Sequence, residues 1–261
     1  MTCIAVLFIF RLFRIEYIEV LSMSKRIRCR FLIPAYILVL ITLLLTALAG
    51  SRAVSVMAER KPIESRRCVI IDAGHGGVDG GTTSCTGVLE SALNLEIALR
   101  LNDLMHLLGI DTQMIRTTDE SVYTEGGTIA AKKVSDLKQR VKIANSTDNS
   151  VLISIHQNYF SDQRYSGAQV FYAPTPGSME LAKMMQTSLI KTVNPESKRQ
   201  IKKADGIYLM QKIDCTGVLV ECGFLSNPIE EANLRREDYQ KKLCSVISAT
   251  TSCYLYRSSI A

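Results

Sequence analysis

The sequence predicts an α/β protein: a single domain with a mostly parallel twisted sheet flanked by helices, preceded by an N-terminal membrane segment. Three observations predict this. Short runs of β-branched and aliphatic residues recur at 68–72, 112–115, 151–155, 168–172 and 217–221, each of strand length. Amphipathic stretches intervene between several of them, the alternation expected of a parallel sheet with helical crossovers. Ahead of both, Phe31 to Ala49 (FLIPAYILVLITLLLTALA) runs without a charge. Its length lies at the lower edge of what crosses a bilayer as a helix.

Residues 1–30 form a basic N-terminus. Lys25, Arg26, Arg28 and Arg30 precede the apolar run and would keep this end cytoplasmic, sending everything after Gly50 outside. Residues 1–22 fit neither an anchor nor a signal peptide, and Met23 would open an ordinary basic leader, so Met23 is a candidate true start. Residues 31–49 read as a transmembrane anchor or a signal segment. Ala47-Leu48-Ala49 suits cleavage, but the run exceeds the usual ~7–15-residue signal core, which favours an uncleaved anchor. Residues 50–67 are polar and charged and read as a tether.

The catalytic domain is expected over 68–257. Its first strand opens at Cys68. Ser91–Leu108 carries apolar residues at 92, 95, 98, 99, 101, 104, 105 and 108, a helical stripe stopped by Gly109. Further helices are expected over Asp136–Asn145, over Ser178–Val193 (ended by Pro195) and over Asp238–Tyr256. No internal repeat and no appended domain follow.

Composition narrows the function. Of the net charge of +6, the first 49 residues supply +4, from six basic and two acidic side chains. The body is therefore nearly balanced, and no basic run interleaved with aromatics appears, so no nucleic-acid partner is expected. The eight cysteines include no CxxC pair, which argues against a thiolate metal site or a redox motif. Cys68 and Cys222 sit in apolar runs and read as small buried hydrophobes.

Four stretches carry the chemistry: Ile71-Asp72-Ala73-Gly74-His75-Gly76-Gly77, Glu90 opening a helix, Ser154-Ile155-His156-Gln157-Asn158, and Val220-Glu221-Cys222-Gly223-Phe224-Leu225-Ser226-Asn227. Each places a His or Glu after a strand-like run or in a first helical turn. Open α/β sheets gather their sites at the carboxyl ends of the strands, so His75, His156 and Glu221 are expected on one rim, with Glu90 near His75. Two imidazoles and a carboxylate suit a catalytic zinc ion, which takes three protein ligands and keeps one position for water. Each residue also has a plainer reading. Glu90 could be a first-turn acid favoured by the helix dipole, Glu221 a surface acid, and Glu96 a rival ligand further along the helix. His106 reads as structural. A nicotinamide-binding loop is excluded, because G-x-G-x-x-G registered from Gly74 ends on Asp79.

From about Cys68 to Tyr256 the chain resembles the zinc-dependent N-acetylmuramoyl-L-alanine amidases of the Amidase_3 family. The matching motifs are D-x-G-H-G-G at Asp72–Gly77, G-x-x-E at Gly87–Glu90, S-I-H-x-N at Ser154–Asn158 and V-E-x-G-F-L-S-N at Val220–Asn227. Met114–Asp119 and Leu137–Arg140 through Asn145 also look like family signatures. The resemblance implies Zn2+ held by His75, Glu90 and His156, with Glu221 as the catalytic carboxylate. It implies hydrolysis of the amide between muramic acid and L-alanine in peptidoglycan. Size, a single anchor and missing wall-binding repeats resemble the sporulation (CwlD-type) branch, whose members strip peptides from muramic acid so that muramic-δ-lactam forms in the spore cortex. That branch also leaves room for a protein activator or lipoprotein partner.

The chain departs from the family at Ala73, at Ser91 and at Asp214-Cys215-Thr216, the last expected to border the substrate groove. Two alternatives remain at this point: a zinc peptidase or amidase acting on another cell-envelope peptide, and a wall-binding protein with a decayed site. In each case the domain is expected outside the cytoplasm, membrane-anchored or secreted.

Overall fold

The computed structural model describes residue 36, residues 38–42 and residues 67–258. The chain divides into two units, 1–64 and 65–261. In the first, residues 36 and 38–42 are helical. Among the described residues no helix is long and apolar enough to cross a membrane. Most of the expected anchor, residues 1–30 and the tether up to residue 66 lie outside the described residues.

The second unit is a six-stranded sheet between two helical layers. Its strands are β1 (Cys68–Ala73), β2 (Thr112–Met114), β3 (Ser150–Asn158), β4 (Gln169–Tyr172), β5 (Lys202–Lys203) and β6 (Thr216–Phe224). They lie in the order β2-β1-β3-β6-β4-β5. Every pairing is parallel except β4 with β6. The helices are α1 (Glu90–Leu107), α2 (Ile129–Asn145), α3 (Ser178–Thr192), α4 (Tyr208–Lys212), α5 (Pro228–Leu234) and α6 (Glu237–Ser258).

The central strands β1, β3 and β6 bury both faces, as near-continuous apolar runs must in a covered parallel sheet. Val69, Ile71, Val151, Ile153, Ile155, Val218, Val220 and Cys222 share one core with Ile97 and Leu101 of α1, Leu181 and Met185 of α3 and Ile247 of α6. Ile70, Leu152 and Leu219 point the other way, into a smaller core with Met210 of α4 and Ala144 of α2. Strand alternation thus sends Cys222 and Glu221 to opposite faces, and Glu221 emerges on the side of α2 and α4.

Several expected boundaries shift. Helix α2 starts seven residues before the expected Asp136. Thr128 caps it by accepting from Ala131 N at 3.2 Å, while Ile129 and Val134 lie exposed on its surface and blur the apolar period. Strand β5 is two exposed lysines with no apolar signal, and such charges protect a sheet edge from further pairing. Helix α5 is announced by Asn227-Pro228: the Asn227 side chain accepts from Ile229 N and Glu230 N, and Pro228 occupies the first turn.

Candidate active site

The strand ends converge as the topology requires. His156 of β3 and Glu221 of β6 are direct register partners, and β1 pairs with β3 up to Ala73 and Ile155. His75 follows two residues beyond β1. Neither His156 nor Glu221 is the last residue of its strand: β3 runs on to Asn158 and β6 to Phe224. Glu90 is the first residue of α1, and its backbone N donates to Thr82 O at 2.9 Å.

These four residues meet. His75 Nε2 lies 3.3 Å from Glu90 Oε2, and His156 Nδ1 lies 3.0 Å from Glu90 Oε1. The two imidazoles stand nearly perpendicular with centroids 5.0 Å apart. One donor atom from each of His75, Glu90 and His156 falls within 4.8 Å of the others. The rival acid Glu96 is on the outer side of α1, paired with Arg100. His106 is exposed and contacts Thr112, in keeping with a structural role.

Close packing holds the cluster. A Cβ on Gly74 would run into the His156 ring. One on Gly81, at φ 68°, would sit 2.8 Å from the His75 ring and 2.7 Å from Glu90 Oε2. Both positions need glycine for space, and Gly81 needs it for its conformation as well. Glu90 also accepts from Thr82 N at 3.0 Å, Gln157 N at 3.2 Å and Asn94 Nδ2 at 3.3 Å.

Charge follows from this packing. Burial alone would raise Glu90, but its hydrogen bonds and charge contacts with His156 and His75 outweigh that and hold it well below the usual carboxylate range. Burial would lower His75, yet Glu90 and Asp79 together lift it to about 9. Glu221 behaves in the opposite way. Burial raises it to about 7, with Glu90 adding to the rise and His156 opposing it. Its Oε2 is buried without a hydrogen-bond partner. Neither plainer reading survives: Glu221 is no surface acid, and Glu90 does more than favour a helix dipole.

Below the cluster lies a buried arginine. Arg140 of α2 pairs with Asp72 and Asp136, and donates to Ala73 O at 2.9 Å and His75 O at 2.6 Å. Arg116 grips the same loop from the other side, donating to Ala73 O at 2.8 Å and Gly74 O at 3.1 Å. Between them these side chains brace His75, which holds a left-handed φ of 61°, costly for a residue with a Cβ. Sequence reasoning placed both arginines in motifs without seeing this role. Their four-residue spacing from a carboxylate in one case (Asp136–Arg140) was the only available signal.

A cleft opens beside the cluster, lined by His75, His156, Glu221, Asp72, Asp79, Lys133 and Arg140 among others. Asp214-Cys215-Thr216 does not border it. Thr216 opens β6, five residues from Glu221, or about 16 Å at strand rise, so that departure from the family sits toward the opposite end of the sheet.

Residues 69–250 match the Amidase_3 family, described as N-acetylmuramoyl-L-alanine amidase. The chain belongs to this family. It is 38% identical over 185 residues to the germination-specific N-acetylmuramoyl-L-alanine amidase of Bacillus subtilis (strain 168), spanning 70% of this chain and 77% of that relative. The fold is similar to the CwlD amidase from Clostridioides difficile, solved in complex with the GerS lipoprotein: TM-score 0.70 and 36% identity over 73% of this chain and 98% of that one. It is also similar to an N-acetylmuramoyl-L-alanine amidase from Clostridium difficile 630, with TM-score 0.63, 32% identity, and coverage of 73% and 98%. Family, relatives and fold together make this chain an N-acetylmuramoyl-L-alanine amidase.

Proposed function

We propose that this amidase is zinc-dependent, with His75, Glu90 and His156 as ligands and Glu221 as the catalytic carboxylate, and that it acts in spore cortex maturation. One observation carries the reading: two imidazoles and a carboxylate converge beside a second carboxylate whose Oε2 is buried without a hydrogen-bond partner. The donor set fits zinc, since two His and one Glu with a position left for water is an established catalytic combination. Bound there, zinc supplies a polarised carbonyl and a more acidic water.

The chain's own residues do the rest. Glu221 Oε2, unbonded and shut off from solvent, takes a proton as water attacks the lactyl carbonyl and returns it to the leaving nitrogen of L-alanine. A value near 7 suits a group that must both accept and release a proton. Asn94 and the backbone N of Thr82 and of Gln157 fix Glu90, so its carboxylate stays aimed between the imidazoles.

The cortex role rests on the likeness to the germination-specific relative and to the CwlD amidase. The latter's complex with a lipoprotein supports a lipoprotein partner here as well. Residues 31–49 would anchor the 68–257 domain through the 50–67 tether, with the domain on the outer side of the membrane. Mass spectrometry of muropeptides digested by the zinc-loaded protein tests the activity: peptides beginning with L-alanine are expected, and cleavage only at other bonds would support a different envelope peptidase. Membrane fractionation tests the anchor, where recovery of a soluble form starting near Gly50 would show cleavage.

A further inference from the structure

The geometry points to Asp79 as the positioning residue for His75, held in place by Lys133 of α2. This rests on the zinc reading of the site and adds to it two residues that neither touch the proposed metal position nor belong to the ligand set.

The loop after β1 closes on itself. Gly76 N donates to Asp79 O at 2.8 Å and Asp79 N returns to Gly76 O at 3.1 Å, a small antiparallel bridge. That closure carries the Asp79 side chain back to the ring four residues earlier in sequence. His75 Nδ1 donates to Asp79 Oδ2 at 2.9 Å. A carboxylate can only accept, so Nδ1 keeps its proton against Asp79, and Nε2, which faces Glu90 3.3 Å away, is the nitrogen left to shed its proton and face the metal position. One ring nitrogen is thereby committed to the loop and the other to the metal position, which is how an outer hydrogen bond fixes the tautomer and aim of a ligating histidine.

Asp79 is itself fixed. Its Oδ1 accepts from Gly81 N at 3.2 Å and pairs with Lys133 Nζ at 2.7 Å. The carboxylate therefore has one oxygen for the loop and α2 and one for His75. Lys133 is half-exposed, so its pairing is screened and secondary. Asp79, its side chain only 21% exposed, does the orienting. His75 needs such help more than His156: it stands on a loop in a left-handed conformation, whereas His156 sits within β3.

The test is zinc affinity of the full chain, measured by competition with a chromophoric chelator, alongside nitrogen-15 NMR of the His75 ring in the zinc-loaded protein, where the ring is neutral and the protonated nitrogen identifies the tautomer. Asp79→Ala is expected to weaken zinc binding ~10–100-fold, the range for loss of such an outer partner, and to let the His75 ring sample both tautomers. Asp79→Asn, which keeps an acceptor and the side-chain shape, should fall between it and wild type. Lys133→Met should cost less than Asp79→Ala and add nothing to it in the double variant, because it acts only through Asp79. Zinc affinity within twofold of wild type in Asp79→Ala, with an unchanged His75 tautomer, overturns the inference. So does a loss in Asp79→Ala matched by Asp79→Asn and by an equal drop in metal-free melting temperature, which would make Asp79 merely a loop brace. A wild-type chain that binds no zinc overturns the metal reading and this inference with it.

Discussion

Glu221 should make the metal-free protein less stable as pH rises, and Glu221→Gln should relieve it. Folding moves this carboxyl from 4.5 to about 7, chiefly by burial, with Glu90 adding to the shift. Between those two values the folded state binds a proton that the unfolded state has released, so stability falls as pH climbs from about 4.5 to 7 and then levels off. A shift of this size corresponds to about 3 kcal/mol once both states are ionised. Glutamine occupies the same space without ionising. Relative to wild type, Glu221→Gln should therefore gain about 2–3 kcal/mol between pH 5 and pH 8. For a domain of this size that is about 5–10 °C in melting temperature. The assay is urea or thermal denaturation of both proteins in EDTA across that range. Only the change in their difference matters, since His75, Glu90 and Asp72 titrate in both. A difference that stays flat from pH 5 to pH 8 would refute the reasoning, and with it the view of Glu221 as a carboxylate kept poised by desolvation.

Other outcomes follow from the same contacts. Arg140→Met leaves Asp72 and Asp136 without their buried partner and His75 O without a donor, so urea denaturation should show a loss of about 3–5 kcal/mol. Zinc must displace a proton from the His75 imidazole that now faces Glu90. His75 is raised to about 9 by its carboxylate neighbours despite burial, so apparent zinc affinity should climb with pH about tenfold per unit up to that point, with proton release measurable by calorimetry in buffers of different ionisation enthalpy. Asn227 caps α5 and donates to Gln163 O at 2.9 Å and Tyr165 O at 3.3 Å. Asn227→Ala should lower stability by about 1–2 kcal/mol, read from the denaturation midpoint.

Much of this architecture is legible in the sequence, for physical reasons. Cys68–Ala73, Ser150–Asn158 and Thr216–Phe224 form the centre of the sheet, and buried parallel strands advertise themselves as unbroken apolar runs. The stripe from Ser91 shows only in part: Ala98, Leu101 and Met105 are buried as expected, whereas Ala92, Leu99 and Leu108 lie exposed and α1 turns Leu93 and Ile97 inward instead. What stays hidden lacks that contrast. Lys202–Lys203 pairs through its backbone alone, and the start of α2 exposes Ile129 and Val134. The candidate site divides in the same way. His75, Glu90, His156 and Glu221 are visible because strand ends in such a sheet must meet. Arg116, Asp79 and Lys133 work through contacts that exist only after the loop 74–81 has folded back, and the Asp136–Arg140 spacing announces that ion pair but not the grip of Arg140 on the loop. The expected groove role of Asp214-Cys215-Thr216 failed for a related reason: it read proximity to Glu221 in sequence, where a strand separates the two.

The central claim is that this amidase separates metal binding, by His75, Glu90 and His156, from proton transfer, by Glu221. Zinc content and product release measured on one preparation of Glu221→Gln test it most directly. The claim predicts one zinc per chain, as in wild type, with release of L-alanine-led peptides from peptidoglycan slowed ~10²–10⁴-fold. Loss of zinc would make Glu221 a ligand, and near-native turnover would leave the reaction without the base assigned to it; either result contradicts the account.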